Sequence, residues 1–253
     1  MISPKHTLFI FLMMPTFAQA SPSSFCGFQL GAQVGWTQRT DKTNFPYVYW
    51  NPDLQDSAID GKKKSDGTTY GIYVGYGQNC NGFYWGGEFT IGTDNASKWG
   101  SHKIHETMWG LPADERTDVK LKTKYDRGIV FGISPRIGVV LAKENLVYVK
   151  LGVEVSRDKV LTSHEWIDLL DLDEPPEIRK KTTSSVQFVF VPGIGYERAF
   201  GKLLARVEYN YNMGGKIKTT NLLYSRGRSE FVHSPATVKY SAHILKFGMA
   251  YKF

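Results

Sequence analysis

Eight ionisable residues fall at alternate positions among glycines and small polar residues: Glu88, Arg136, Lys150, Glu154, Glu197, Arg206, Glu208 and Lys246. Four are acids and four are bases. Brought into one enclosed space, such groups must neutralise one another, because a buried lone charge is far more costly than a paired one. The expected chemistry is therefore a hydrogen-bonded salt-bridge network through Glu88, Arg136, Lys150, Arg206 and Glu208, continued by Glu154 and Lys246. Other candidates are weaker. Ser241 and His243 are spaced for part of a hydrolytic pair, yet no G-x-S-x-G elbow is present and no third partner can be assigned. His102, His105 and Glu106 form an H-x-x-H-E cluster whose spacing is not a strong zinc signature, and they read as solvated loop residues. No metal site, cofactor or catalytic residue is expected.

The elements that must position these charges have a period of two. One run places Phe28, Leu30, Ala32, Val34 and Trp36 on one face and Gln29, Gly31, Gln33, Gly35 and Thr37 on the other. The same split recurs over Thr69–Tyr76, Phe83–Ile91, Ile129–Val139, Val147–Val155, Gln187–Glu197, Ala205–Tyr211 and Leu245–Phe253. In each run one face is aliphatic and aromatic, while the other carries glycine, polar residues and the ionisable set. This alternation is the signature of strands, and the runs number eight. Tight turns rich in Gly and Asn are expected at Gln78–Gly82, Ala142–Asn145 and Ala199–Lys202. Long loops are expected over residues 39–67, 94–124, 157–184 and 212–237, with a short amphipathic helical turn at Ser163–Leu170. Pro135 and Pro192 fall inside strands, where proline cannot donate to a ladder, and read as bulges or weak pairing.

The start of the chain reads as a leader: Lys5 precedes an apolar run from Leu8 to Phe17, followed by Ala18-Gln19-Ala20, which fits a secretory signal peptide over residues 1–20. No lipoprotein motif precedes Cys26. Residues 21–253 are expected to form a single domain. Mean hydropathy is −0.30, as when half of each strand faces lipid and half a polar interior. Cys26 precedes the first strand and Cys80 lies in the turn after the second, so in an oxidising compartment they are expected to pair as a disulfide. The chain is basic, with a formal net charge of +7, but a nucleic-acid motif is absent and the leader argues against that partner.

The closing residues Phe247, Met249, Tyr251 and Phe253 resemble the C-terminal assembly signal of bacterial outer-membrane proteins, in which a terminal aromatic is read by the β-barrel assembly machinery. With eight amphipathic strands and alternating short and long connections, the chain resembles the eight-stranded OmpA/OmpX-type barrels and the wider family of small porin-like surface antigens. The resemblance implies an all-β, antiparallel, up-and-down transmembrane β-barrel in the Gram-negative outer membrane. It implies short periplasmic turns, long extracellular loops and aromatic belts, outside at Trp36, Tyr70 and Tyr211, inside at Tyr76, Phe83, Trp85, Tyr196, Tyr251 and Phe253. The expected function is structural, porin-like and non-enzymatic, with a narrow or closed pore. The alternatives are a small-solute channel and a lipid A-modifying barrel enzyme using Ser241 and His243. The expected partners are outer-membrane lipid, lipopolysaccharide, the assembly machinery, and host or phage ligands met by the loops.

Overall fold

The computed structural model describes residues 24–46, 58–106, 117–168, 177–225 and 230–253. The leader expected over residues 1–20 lies outside them. The described chain has eleven β-strands and no helix: β1 (Gly27–Pro46), β2 (Ala58–Cys80), β3 (Phe83–Asp94), β4 (Trp99–Glu106), β5 (Thr117–Asp126), β6 (Val130–Leu141), β7 (Asn145–Asp168), β8 (Glu177–Phe200), β9 (Leu203–Asn212), β10 (Lys216–Ser225) and β11 (Glu230–Lys252).

Eight of them close a ring. β1 pairs with β2, then β3, β6, β7, β8, β9 and β11 follow, and β11 pairs back to β1, every pair antiparallel. Closure leaves no edge at the level of these eight strands, the condition a sheet must meet in lipid. The three tight turns fall where the spacing predicts them, at Asn81–Gly82, Ala142–Glu144 and Gly201–Lys202. They share one end of the ring with Phe25 and Phe253. The aliphatic and aromatic half of each strand points outward. Phe188 is 72% exposed and Ile133 64%, whereas Arg136 and Glu208 on the opposite face are 0% exposed. On β1 the outward apolar stretch runs from Phe28 to Trp36, roughly 30 Å of strand and about 23 Å of height at a tilt of roughly 40°. That matches the apolar band of a membrane barrel.

The expected long loops are corrected by the structure. The strands do not stop at the apolar band. β1 and β2 stay in register as far as Pro46↔Ala58, and β7 and β8 as far as Trp166↔Glu177. Ser163–Asp168 is strand, not the expected helical turn. The outer face of these extensions is largely polar, and the inner face mixes polar residues with a small apolar cluster that includes Tyr125, Val160, Ile217, Val238 and Tyr240, so the outward apolar row that marks the strands below is lost. Thr37, Arg39, Asp41 and Thr43 continue the inward row, with Lys42 and Asn44 exposed on the other face. In the extension the ring divides into two four-stranded sheets among the described residues, β2–β1–β11–β10 and β4–β5–β7–β8. Residues 95–98 and 213–215 make the two divisions. Gly214 there has φ +82°, a left-handed conformation that glycine adopts without cost.

A third irregularity turns a side chain. Asp126 pairs with Lys159, but Val130 pairs with Ser156. One extra residue between β5 and β6 makes a bulge. It sends Arg127 inward and Ile129 outward, with 61% of Ile129 exposed. Pro135 interrupts the β6–β7 ladder without shifting its register, since pairing skips from Ile133↔Val153 to Arg136↔Lys150. Pro192 marks the point where β8 leaves β9, whose pairing begins at Gly193↔Asn210.

Candidate functional site

The candidate site is the barrel interior, which the inward rows fill in three layers. Nearest the turns lies a layer of tyrosine and small apolar residues: Tyr73, Tyr84 and Tyr148, with Phe25, Leu146 and Leu204 packed among them. Each ring lies across a glycine of a neighbouring strand. A Cβ added to Gly195 would overlap the ring of Tyr148, and one added to Gly31 would overlap that of Tyr73. The inward glycines therefore make room for aromatic side chains inside a narrow ring. Gly195→Val is expected to lower stability by about 1–3 kcal/mol through overpacking. A compensating Tyr148→Ala in the same chain should recover part of the loss, measured as the urea midpoint of the folded, compact gel band.

The middle layer contains the charges, all buried. Arg206 forms a salt bridge with Glu88, donates to Gln33 at 2.7 Å and stacks its guanidinium 3.5 Å from the centre of the Tyr73 ring. Arg136 lies 3.6 Å from Glu88 and 3.5 Å from Glu197, and donates to the Tyr84 hydroxyl at 3.0 Å. Lys150 pairs with Glu208, which also accepts from Tyr148 at 2.9 Å and from Asn210 at 2.8 Å. Glu88, Arg136 and Arg206 thus share one ion-paired group with Glu197, while Lys150 and Glu208 pair with each other and meet that group through Tyr148, whose ring lies 5.1 Å from the Arg136 guanidinium. Their carboxylates accept several donors each, the arrangement that lets an ion pair survive burial.

The upper layer contains residues that were not expected in the interior. Glu154 pairs with Arg127 at 2.9 Å, and Arg127 lies 3.7 Å from Asp94. Asp94 is 3.6 Å from Arg39, which also pairs with Asp41 at 3.1 Å and donates to the Tyr125 carbonyl at 2.7 Å. The Tyr125 hydroxyl bonds to Asp158, and its ring lies 4.6 Å from that of Tyr240. Burial pushes the Tyr240 hydroxyl up to about 12 and holds the Asp41 carboxyl above the usual carboxylate range despite Arg39 beside it. Lys246 is buried next to Glu154, the two lining a cavity of about 20 Å³ with Gln33 and Arg127. A second cavity, between Asp41, Lys63 and Tyr125, is about 10 Å³. Each has room for about one water molecule.

Arg39 and Asp94 were missed because they lie beyond the apolar runs, and Arg127 because the bulge changes the phase of alternation. The inward row Thr37, Arg39, Asp41, Thr43 was the available signal for the first.

The expected disulfide is not formed: Cys26 and Cys80 are free thiols. Gly27 pairs with Gly77, so Cys26 approaches the level of Gln78, and its sulfur accepts the Asn79 N–H at 3.2 Å. Cys80 lies one residue beyond Asn79, at the end of β2. Ser241 and His243 sit on the outer wall of β11. The ring of His243 is hydrogen-bonded through Nδ1 to the Tyr209 hydroxyl at 2.7 Å and packs 4.9 Å from Tyr211. His102, His105 and Glu106 lie on β4, and their side chains lie outside the described residues. Among the described residues no group of three His, Cys, Asp or Glu side chains is arranged to hold a metal. Phe247, Met249, Tyr251 and Phe253 all face outward, and β11 closes the ring against β1 through them, with Phe247↔Val34 and Met249↔Ala32.

A closed eight-stranded ring with an apolar outer band and a salt-bridged interior is the architecture of a membrane β-barrel. The family model of the outer membrane protein β-barrel domain matches residues 7–253, and the chain belongs to that family. No curated protein sequence matches it. Among solved structures, it is similar to the outer membrane protease OmpT from Escherichia coli (9% identity, 93% of this chain and 99% of that one, TM-score 0.44). It is also similar to the Neisserial surface protein A (16%, 90% and 97%, TM-score 0.36) and to Ail, the attachment invasion locus protein of Yersinia pestis (13%, 90% and 99%, TM-score 0.35).

Proposed function

We propose that this chain is a closed, non-enzymatic outer-membrane barrel that holds a rigid polar extension above the membrane surface. The observation that carries the reading is the filled interior. From the tyrosine layer to Arg39 the interior is packed with buried side chains, with voids of about 20 Å³ and 10 Å³ among them, and eight strands leave an interior only wide enough for side chains. The extension suits a structural or surface-display role, its tips meeting whatever ligand lies outside. On this reading residues 1–20 are a cleaved leader, the turns lie in the periplasm and the extended end faces outward. Phe247, Met249 and Tyr251 of β11, with Phe253 just after it, are recognised by the assembly machinery.

The reading is tested with purified, refolded protein. An unboiled sample should migrate as a compact band that shifts on boiling, and liposomes containing it should not swell in small sugars or amino acids. Lipid A incubated with it should keep its mass. Solute-dependent swelling would make the protein a channel. A lipid A mass change abolished by His243→Ala would make it an enzyme.

A further inference from the structure

The outer wall of the extension carries a row of lysines with an unusual register. Lys62 is directly opposite Lys42 across β2 and β1, Lys42 is opposite Lys239 on β11, and Lys239 is opposite Lys216 on β10. All four are exposed. Adjacent strands lie about 4.8 Å apart, so four positive charges span roughly 14 Å. Like charges placed directly across a ladder destabilise it. The flanking rows do little to offset them: Lys218, Thr237, Asn44 and Asp60 on one side, and Ser241, Thr40 and Lys64 on the other. Of these eleven positions six are lysine and one is an acid.

The opposite sheet of the extension is different. There Lys122 pairs with Glu165 at 2.9 Å and Lys124 with Asp126 at 3.2 Å. None of the four lysines in the row forms an ion pair with a described residue. They border instead an open depression of about 450 Å³ together with Asn44 and Thr237.

We propose that this row binds the phosphorylated sugars of the outer-leaflet glycolipid that surrounds the barrel. Phosphate suits lysine as a compact point charge, and several phosphates on one ligand would relieve the repulsion that the bare row carries. Position selects the source. Lys42 stands six residues beyond Trp36, the last apolar outward residue of β1, about 20 Å of strand and roughly 15 Å of height. That is the sugar layer rather than the acyl boundary. The row also faces sideways from the wall, toward neighbouring lipid molecules, rather than upward from the tips. The assignment rests on the extended end facing outward.

The test uses the full chain, folded in detergent, with three probes: lipopolysaccharide bearing phosphorylated inner-core sugars, the same material after dephosphorylation, and heparin as a soluble polyanion. Wild type should bind the first probe at least tenfold more tightly than either of the others. The variant with Lys42→Gln, Lys62→Gln, Lys216→Gln and Lys239→Gln should lose at least tenfold in affinity for it, with retained heat-modifiable mobility reporting its fold. A second variant, Lys143→Gln with Lys202→Gln at the turn end, should bind as wild type does. Equal binding by wild type and the four-lysine variant, or no effect of dephosphorylation, would overturn the proposal. Tighter binding of heparin would assign the row to a soluble polyanion and overturn it equally. Binding in detergent is blind to orientation, so a failure here condemns the site and leaves the topological reading standing.

Discussion

Replacing Arg206 by alanine should lower the stability of the folded barrel by about 3–5 kcal/mol, the typical effect of leaving a buried charge without its partner. Arg206 forms a salt bridge with Glu88, donates to Gln33 and covers the Tyr73 ring. Its loss leaves Glu88, which is 3% exposed, facing Arg136 alone at 3.6 Å. Arg136 is already shared with Glu197 at 3.5 Å, so it cannot compensate fully. The double variant Arg206→Ala with Glu88→Gln removes the orphaned charge along with the missing cation and should regain a substantial part of the loss. The measurement is the urea midpoint of the compact gel band in detergent micelles or bilayers. A single variant as stable as wild type would mean that water enters and screens the pair, which is incompatible with a dry, filled interior.

The second large effect concerns permeability. Changing Glu88, Arg136, Glu197 and Arg206 together to serine removes two acids and two bases, so the net charge is unchanged. It also removes most of the side-chain volume of the middle layer. The tyrosine layer below is supported partly by that charge layer: Arg136 donates to Tyr84, and Arg206 lies over Tyr73. With the guanidinium groups gone, the rings lose the groups they pack against and a water path should open. Liposomes carrying this variant should swell in small sugars where wild type does not. If the variant folds, shown by a heat-modifiable band, and remains as impermeable as wild type, the middle layer is not the barrier. The tyrosine layer would then be the seal, and Tyr73→Ala with Tyr148→Ala should open it.

Much of this was legible in the sequence, for one physical reason. Where one face of a strand touches lipid and the other does not, the difference in polarity is large at every second residue, and the period of two can be read directly. Strand identity, the tight turns and the inward orientation of Glu88, Arg136, Lys150, Glu154, Glu197, Arg206, Glu208 and Lys246 all follow from that contrast. It also places Tyr73, Tyr84 and Tyr148 among the glycines of the inward face. Beyond Trp36 the outside is water, the outer face turns polar and the inner face mixes polar residues with apolar ones such as Val160, Ile217 and Val238, so the contrast that marks the lower strands is lost. The extensions of β1, β2, β7, β8 and β11 consequently read as loops, although Thr37, Arg39, Asp41 and Thr43 continue the inward row without a break. Arg127 was hidden differently, because a bulge shifts the phase of alternation by one residue, with Gly128, where an added Cβ would meet the Arg157 carbonyl oxygen, as its local mark. The disulfide expectation failed on register. Strand adjacency brings Cys26 near β2, but only the register shows that it meets Asn79 rather than Cys80. The lysine row depends on register in the same way. Lys42, Lys62, Lys216 and Lys239 are scattered through the sequence and become one feature only when three ladders align them.

The central claim is that the interior is closed. Single-channel recording of wild-type protein in planar lipid bilayers, with insertion verified by recovering the heat-modifiable band from the same membranes, tests it most directly. A closed interior gives a flat baseline across the voltage range the bilayer tolerates. Steady unitary currents from the wild-type monomer would contradict it, because they need a continuous water path past the buried tyrosine and charge layers.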